Sequence, residues 1–106
     1  MELKFLLNLV ILILTFVFIL SCSTITLPTQ EYVLARSAME SAQEFDAERL
    51  APVIFQEAQD YYKRAERFYN EKEFEQARIN FINARKSAEK AETTSRIKKA
   101  KTGEVL

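Results

Sequence analysis

VIFQEAQDYYKRAERFYN (residues 53–70) and EKEFEQARINFINARKSAEKA (residues 71–91) decide the fold of this chain. In the first stretch Ile54, Phe55, Ala58, Tyr61, Tyr62, Ala65, Phe68 and Tyr69 recur at three- and four-residue steps. In the second, Phe74, Ala77, Phe81, Ala84, Ala88 and Ala91 do the same. That spacing lays one apolar stripe along each of two helices. Along both stripes large side chains alternate with alanines, so the helix axes come close at the alanines while the rings fill the gaps. Pro52 suits the first turn of the earlier helix, where a missing N–H costs nothing. Asn70-Glu71-Lys72 breaks the pattern, and Asn70 is the residue expected to take the left-handed conformation that ends it.

Upstream, Leu34, Ala35, Ala38, Met39, Ala42 and Phe45 form a further stripe, which predicts a helix from Gln30 to Phe45 with Thr29 as its N-cap. Asp46 to Leu50 reads as a connection. Downstream of Ala91 the stripe fades into Thr93-Thr94-Ser95 and a basic run, so this segment is expected to be either a helix extension overhanging the bundle or a tail. Short connections make neighbouring helices antiparallel. The fold class expected is all-α, an antiparallel three-helix bundle behind an N-terminal signal segment. Composition agrees, because the one glycine and two prolines are too few for a β-fold with tight turns.

The net charge of zero hides two unlike ends. Glu40 to Glu75 carries ten acidic and five basic residues, whereas Arg85 to Lys101 carries seven basic and two acidic. The balance argues against a nucleic-acid partner. A single cysteine excludes an intramolecular disulfide, and without histidine a Cys/His zinc site cannot form. There is no phosphate loop, no metal-ligand run and no nucleophile beside a base. Glu57, Asp60, Glu73 and Glu75 sit among Lys and Arg on a solvated face. The expectation is a non-enzyme without a cofactor.

Phe5 to Leu20 is uncharged and almost wholly Leu, Ile, Val and Phe, and follows Met-Glu-Leu-Lys. This is the layout of an export signal. At about 1.5 Å per residue its sixteen residues span about 24 Å, short of a hydrocarbon core of about 30 Å. Ile19-Leu20-Ser21-Cys22 then resembles the bacterial lipobox, with Leu20 standing where Ala, Ser or Thr is commoner. The resemblance implies a lipidated Cys22, cleavage before it, and anchoring by several acyl chains. Ser23, in place of an Asp, resembles the class of lipoproteins sent to the outer membrane. The plain alternative is an uncleaved span ending near Cys22, in a single-pass inner-membrane subunit.

Tyr61, Ala65, Phe68, Phe74, Ala77, Phe81 and Ala84 fall at the spacing of a tetratricopeptide-type helix pair, with Arg64 where Leu is usual and Glu89 in place of the closing Pro. The Ala-rich first helix, Leu50-Ala51-Pro52 and Glu73-Phe74-Glu75-Gln76-Ala77-Arg78 also resemble an uncharacterised family of small helical bacterial lipoproteins, over about Tyr32 to Glu92. That resemblance implies architecture and address but no chemistry. Four segments are expected: a signal peptide over 1–21, a lipidated tether over 22–30, a helical domain over 31–92 and a basic extension over 93–106. The expected role is an envelope scaffold or interaction module facing the periplasm. Its partners would be the membrane through the anchor, a protein or a second copy, and an anionic envelope polymer. Tyr62 and Tyr69 are the candidate aromatic contacts, and Arg96, Lys98, Lys99 and Lys101 the candidate basic ones. The competing readings are a core role for the tyrosines and favourable placing of cations at a helix C-terminus.

Overall fold

The computed structural model describes residues 1–20 and 26–103, and among them the only regular secondary structure is helix. Five helices follow in order: α1 Glu2–Leu20, α2 Thr29–Glu44, α3 Ala47–Leu50, α4 Pro52–Asn70 and α5 Phe74–Thr102. Helix α1 touches none of the others. The molecule is accordingly extended, 89 × 22 × 14 Å.

Helix α5 is the common partner of α2 and α4, which hardly meet each other. Glu57 on α4 faces Ser87 on α5, and the pairing of Ala65 with Ala77, Phe81 and Ala84 runs the opposite way along α5 to that of Ala58 with Ala88 and Ala91. These two helices are therefore antiparallel. Helix α2 runs alongside α5 in the same direction, since Glu31 meets Arg78 and Ser41 meets Glu92 further along both. The buried positions of α5 are Ala77, Phe81, Ala84, Ala88, Ala91 and Ser95, spaced alternately by four and three, with Asn80 beside them. A seven-residue repeat keeps one seam facing its partners and gives a slight left-handed winding.

Two clusters make up the core. Near the α4–α5 turn, Ala35, Ala65, Ala77, Phe81 and Ala84 are buried beneath Tyr32, Tyr61, Tyr62 and Phe68. Toward the far end, Ala38, Ala42, Ala47, Ala51, Phe55, Ala58, Ala88 and Ala91 pack with Met39 and Ile54. Alanine dominates both, and Phe55 and Phe81 are the largest fully buried side chains. Close approach of backbones and two well-placed rings replace the usual leucine core.

Three local expectations are corrected, and one point left open is filled in. Pro28, not Thr29, precedes the first residue of α2, and no side chain caps that end. Pro28 is buried and its carbonyl accepts the Tyr32 N–H at 3.0 Å, so packing fixes the start. The stretch Asp46–Leu50 is not a plain connection. Asp46 turns left-handed (φ 64°) and launches α3, whose Ala47 enters the core. The left-handed residue after α4 is Lys72 (φ 61°), while Asn70 remains helical. The N–H of Glu73 reaches the Phe68 carbonyl and that of Lys72 reaches Tyr69, the paired bonds of a Schellman ending. Finally, α5 continues to Thr102, with Gly103 in the left-handed conformation closing it. Ser95 is fully buried and donates to the Ala91 carbonyl at 2.8 Å, so the helix is held past the point where its apolar stripe fades.

Candidate functional site

The candidate contact residues lie at opposite ends of the helical assembly. At the end where the chain enters α2, three rings meet across three helices. Tyr32 and Tyr62 have centroids 6.2 Å apart, and each meets Phe81 in a T-shaped arrangement, at 5.5 and 5.6 Å. Tyr62 is therefore half-buried within this cluster, and its ring is largely covered. Burial, followed by its hydrogen bond with Tyr32, pushes the Tyr62 phenol well above the ordinary tyrosine range. Tyr69, one heptad further, is 40% exposed and leans edge-on against Phe74, 5.4 Å between centroids.

Beside this cluster an open groove of about 450 Å³ runs between the start of α2 and the end of α4. Pro28, Thr29 and Tyr32 form one side, Glu66, Tyr69 and Asn70 the other, and Phe81 lies at the base. No lysine or arginine lines it. Among the described residues Glu66 has no ion-pair partner. Nothing in the apolar spacing of α4 marks Glu66 or Asn70 out, because they join Pro28 and Thr29 only once α2 has been laid alongside α5. The signal that sequence offered was Tyr69, an aromatic at the edge of its stripe.

Arg78 fixes the chain that enters this end. Its guanidinium donates to the Thr26 carbonyl at 3.2 Å and to the Thr26 hydroxyl at 3.3 Å. It also pairs with Glu31 at 3.2 Å and with Glu75 at 2.7 Å. Arg78 and Glu31 are each about three-quarters covered, so solvent screens this pair less than the exposed ones.

At the other end two of the basic residues are engaged within the fold. The Arg96 guanidinium lies 4.4 Å over the Phe45 ring and 3.4 Å from Glu92, and Glu92 in turn accepts the Ser41 hydroxyl. Lys98 donates to the carbonyl of Leu50. Lys99 is partly covered and Lys101 is exposed. Two of the four candidate cations thus tie α5 to α2 and α3. Cys22 lies outside the described residues. Among the described residues no group of three or more Cys, Asp or Glu side chains is gathered to hold a metal ion.

Helix α1 stands apart in character as well as position. Its window Glu2–Ile19 has mean hydropathy 2.3, carries only Glu2 and Lys4 as charges, and buries nothing against the rest of the chain. By length and composition it qualifies to cross a membrane, and a signal sequence near an N-terminus meets the same description.

Neither the curated proteins nor the solved structures include a significant match to this chain. A family does match, over residues 30–104, which span α2 through α5 and leave α1 outside. That match covers well over half of the chain and follows the boundaries of the packed helices, so the protein belongs to the family described as a domain of unknown function (DUF4398).

Proposed function

We propose that the protein is a lipid-anchored component of the bacterial cell envelope, in which α2–α5 serve as a non-catalytic interaction or scaffold module. Cys22 is the acylated residue and Met1–Ser21 the segment removed. The observation that carries this reading is the isolation of α1: an apolar helix with no packing role in the protein leads straight into Ile19-Leu20-Ser21-Cys22. A helix built only to be cut off has no need of a partner. Ser23 after the cysteine favours the outer membrane, with the helices facing the periplasm. Helices α2, α4 and α5 act as a compact three-helix unit whose α4–α5 hairpin is of the tetratricopeptide type. One such hairpin is too little for a peptide-binding array, which favours a single protein partner or self-association over a long concave groove.

A second reading rests on the length of α1. Its eighteen apolar-window residues rise about 27 Å, close to the thickness of a hydrocarbon core. Retained, it makes the protein a single-pass inner-membrane subunit with the same helices outside. Mass spectrometry of the N-terminus of protein extracted from native membranes separates the two. A chain starting at a triacylated Cys22 is the expected result, and an intact Met1 overturns it in favour of the second reading. A Cys22→Ser variant is expected to remain unprocessed.

A further inference from the structure

The groove at the chain-entry end has the chemistry of a cation site. It offers two tyrosine rings, Tyr32 and Tyr69, a carboxamide at Asn70, a hydroxyl at Thr29 and one carboxylate, Glu66, with no cationic side chain among its lining. Arg36, on the same helix as Tyr32, pairs with Glu40 at 3.1 Å and donates to the Tyr32 hydroxyl at 3.5 Å. A neutral ligand here would leave the Glu66 carboxylate without a counter-charge, whereas an anion would be repelled by it. An ammonium group answers both features at once, through attraction to the tyrosine rings and pairing with the carboxylate.

We propose that this groove binds an organic ammonium group, and that its source is the ethanolamine headgroup of phospholipid in the membrane that carries the protein. Position argues for that source. Pro28 and Thr29 are groove residues, and Arg78 holds Thr26 against α5. From Cys22 to Thr26 the chain reaches no more than about 14 Å, so an anchor at Cys22 keeps the groove beside the headgroups. The bound headgroup seats the helices on the bilayer in one orientation. The choice of a lipid source rests on the anchored reading above, while the ammonium chemistry does not.

The test uses the full chain in nonionic detergent, titrated with ethylammonium chloride against sodium chloride at equal ionic strength. The readout is the amide resonances of Tyr32, Tyr69 and Asn70. Saturable shifts are expected, with ethanol giving none. Glu66→Gln, an exposed and nearly isosteric change, should weaken ethylammonium roughly three- to fivefold, and Tyr69→Ala similarly. In nanodiscs containing phosphatidylethanolamine the same resonances should already be shifted and respond little to added amine, while in phosphatidylglycerol discs they should respond fully. Equal response in both discs overturns the lipid source and assigns the groove to a soluble amine such as a lysine side chain. Absence of saturable shifts, or an unchanged response in Glu66→Gln, overturns the site itself. An intact Met1 found on the native protein would remove the anchor and leave the detergent titration standing.

Discussion

Ala65→Leu tests whether alanine really sets the distance between α4 and α5. Ala65 has no accessible surface and lies among Ala35, Ala77, Phe81 and Ala84, so the larger leucine side chain has no room to enter. Three further carbons would gain at most about 2.4 kcal/mol of burial if space existed. Without space they push the helices apart, and overpacking of this kind costs about 1–3 kcal/mol net. Residues 29–102, at about 0.05–0.15 kcal/mol per residue, have a total stability of roughly 4–11 kcal/mol. The variant therefore removes a large share of it. For a domain of this size each kcal/mol shifts the midpoint by about 4–8 °C, which places the expected fall at about 4–24 °C. The assay is a thermal melt of the full chain followed by circular dichroism. Lys63→Leu, which introduces the same residue two positions earlier on the exposed side of α4, is the control and should change stability by less than about 0.5 kcal/mol. An Ala65→Leu midpoint at or above the parent's would refute close packing at this seam.

Three further outcomes are expected. The Tyr62 phenol is raised from its ordinary 10.0, so the folded state holds this proton more tightly than the unfolded one. The associated stability is complete below pH 10 and is lost as pH rises toward the folded value. Urea midpoints should therefore fall on going above pH 10, and more steeply in the parent than in Tyr62→Phe. Lys72→Gly relieves a side chain held at φ 61°, and should raise stability by about 0.5–1 kcal/mol in the same urea assay. Lys98→Met keeps the aliphatic stem but removes the donor to the Leu50 carbonyl. Amide exchange should then quicken beyond Ser95 while the protection of Phe81 and Ala84 stays as it was.

The helices of the packed region were legible because burial and spacing say the same thing there. Ala58, Ala65, Ala77, Ala84, Ala88 and Ala91 are read as facing inward, and all are buried. What escaped was decided by contacts distant in sequence. Ser95 is a poor core residue by type, yet it is covered because α3 and the end of α2 lie beneath it, and Arg96 settles on Phe45 for the same reason. Asp46 and Lys72 adopt left-handed backbone at turns whose geometry is set by the helices they join, where asparagine at position 70 was the better local guess. The groove was legible only through Tyr69, since its other polar residues come together from α2 and α4. Tyr62 was open to two readings, as a contact residue or as part of the core. Its ring joins the cluster with Tyr32 and Phe81.

The alternating four-three spacing of the buried α5 positions has an evolutionary consequence. One residue inserted in mid-helix rotates everything beyond it by about 100° and carries Ala88, Ala91 and Ser95 out of the seam. Seven residues inserted in every long helix together restore the facing surfaces and lengthen the rod by about 10.5 Å. Relatives that differ in length within these helices should therefore do so in whole heptads. Shorter insertions and deletions should be confined to the turn at Glu71–Glu73, where no seam has to be kept in phase.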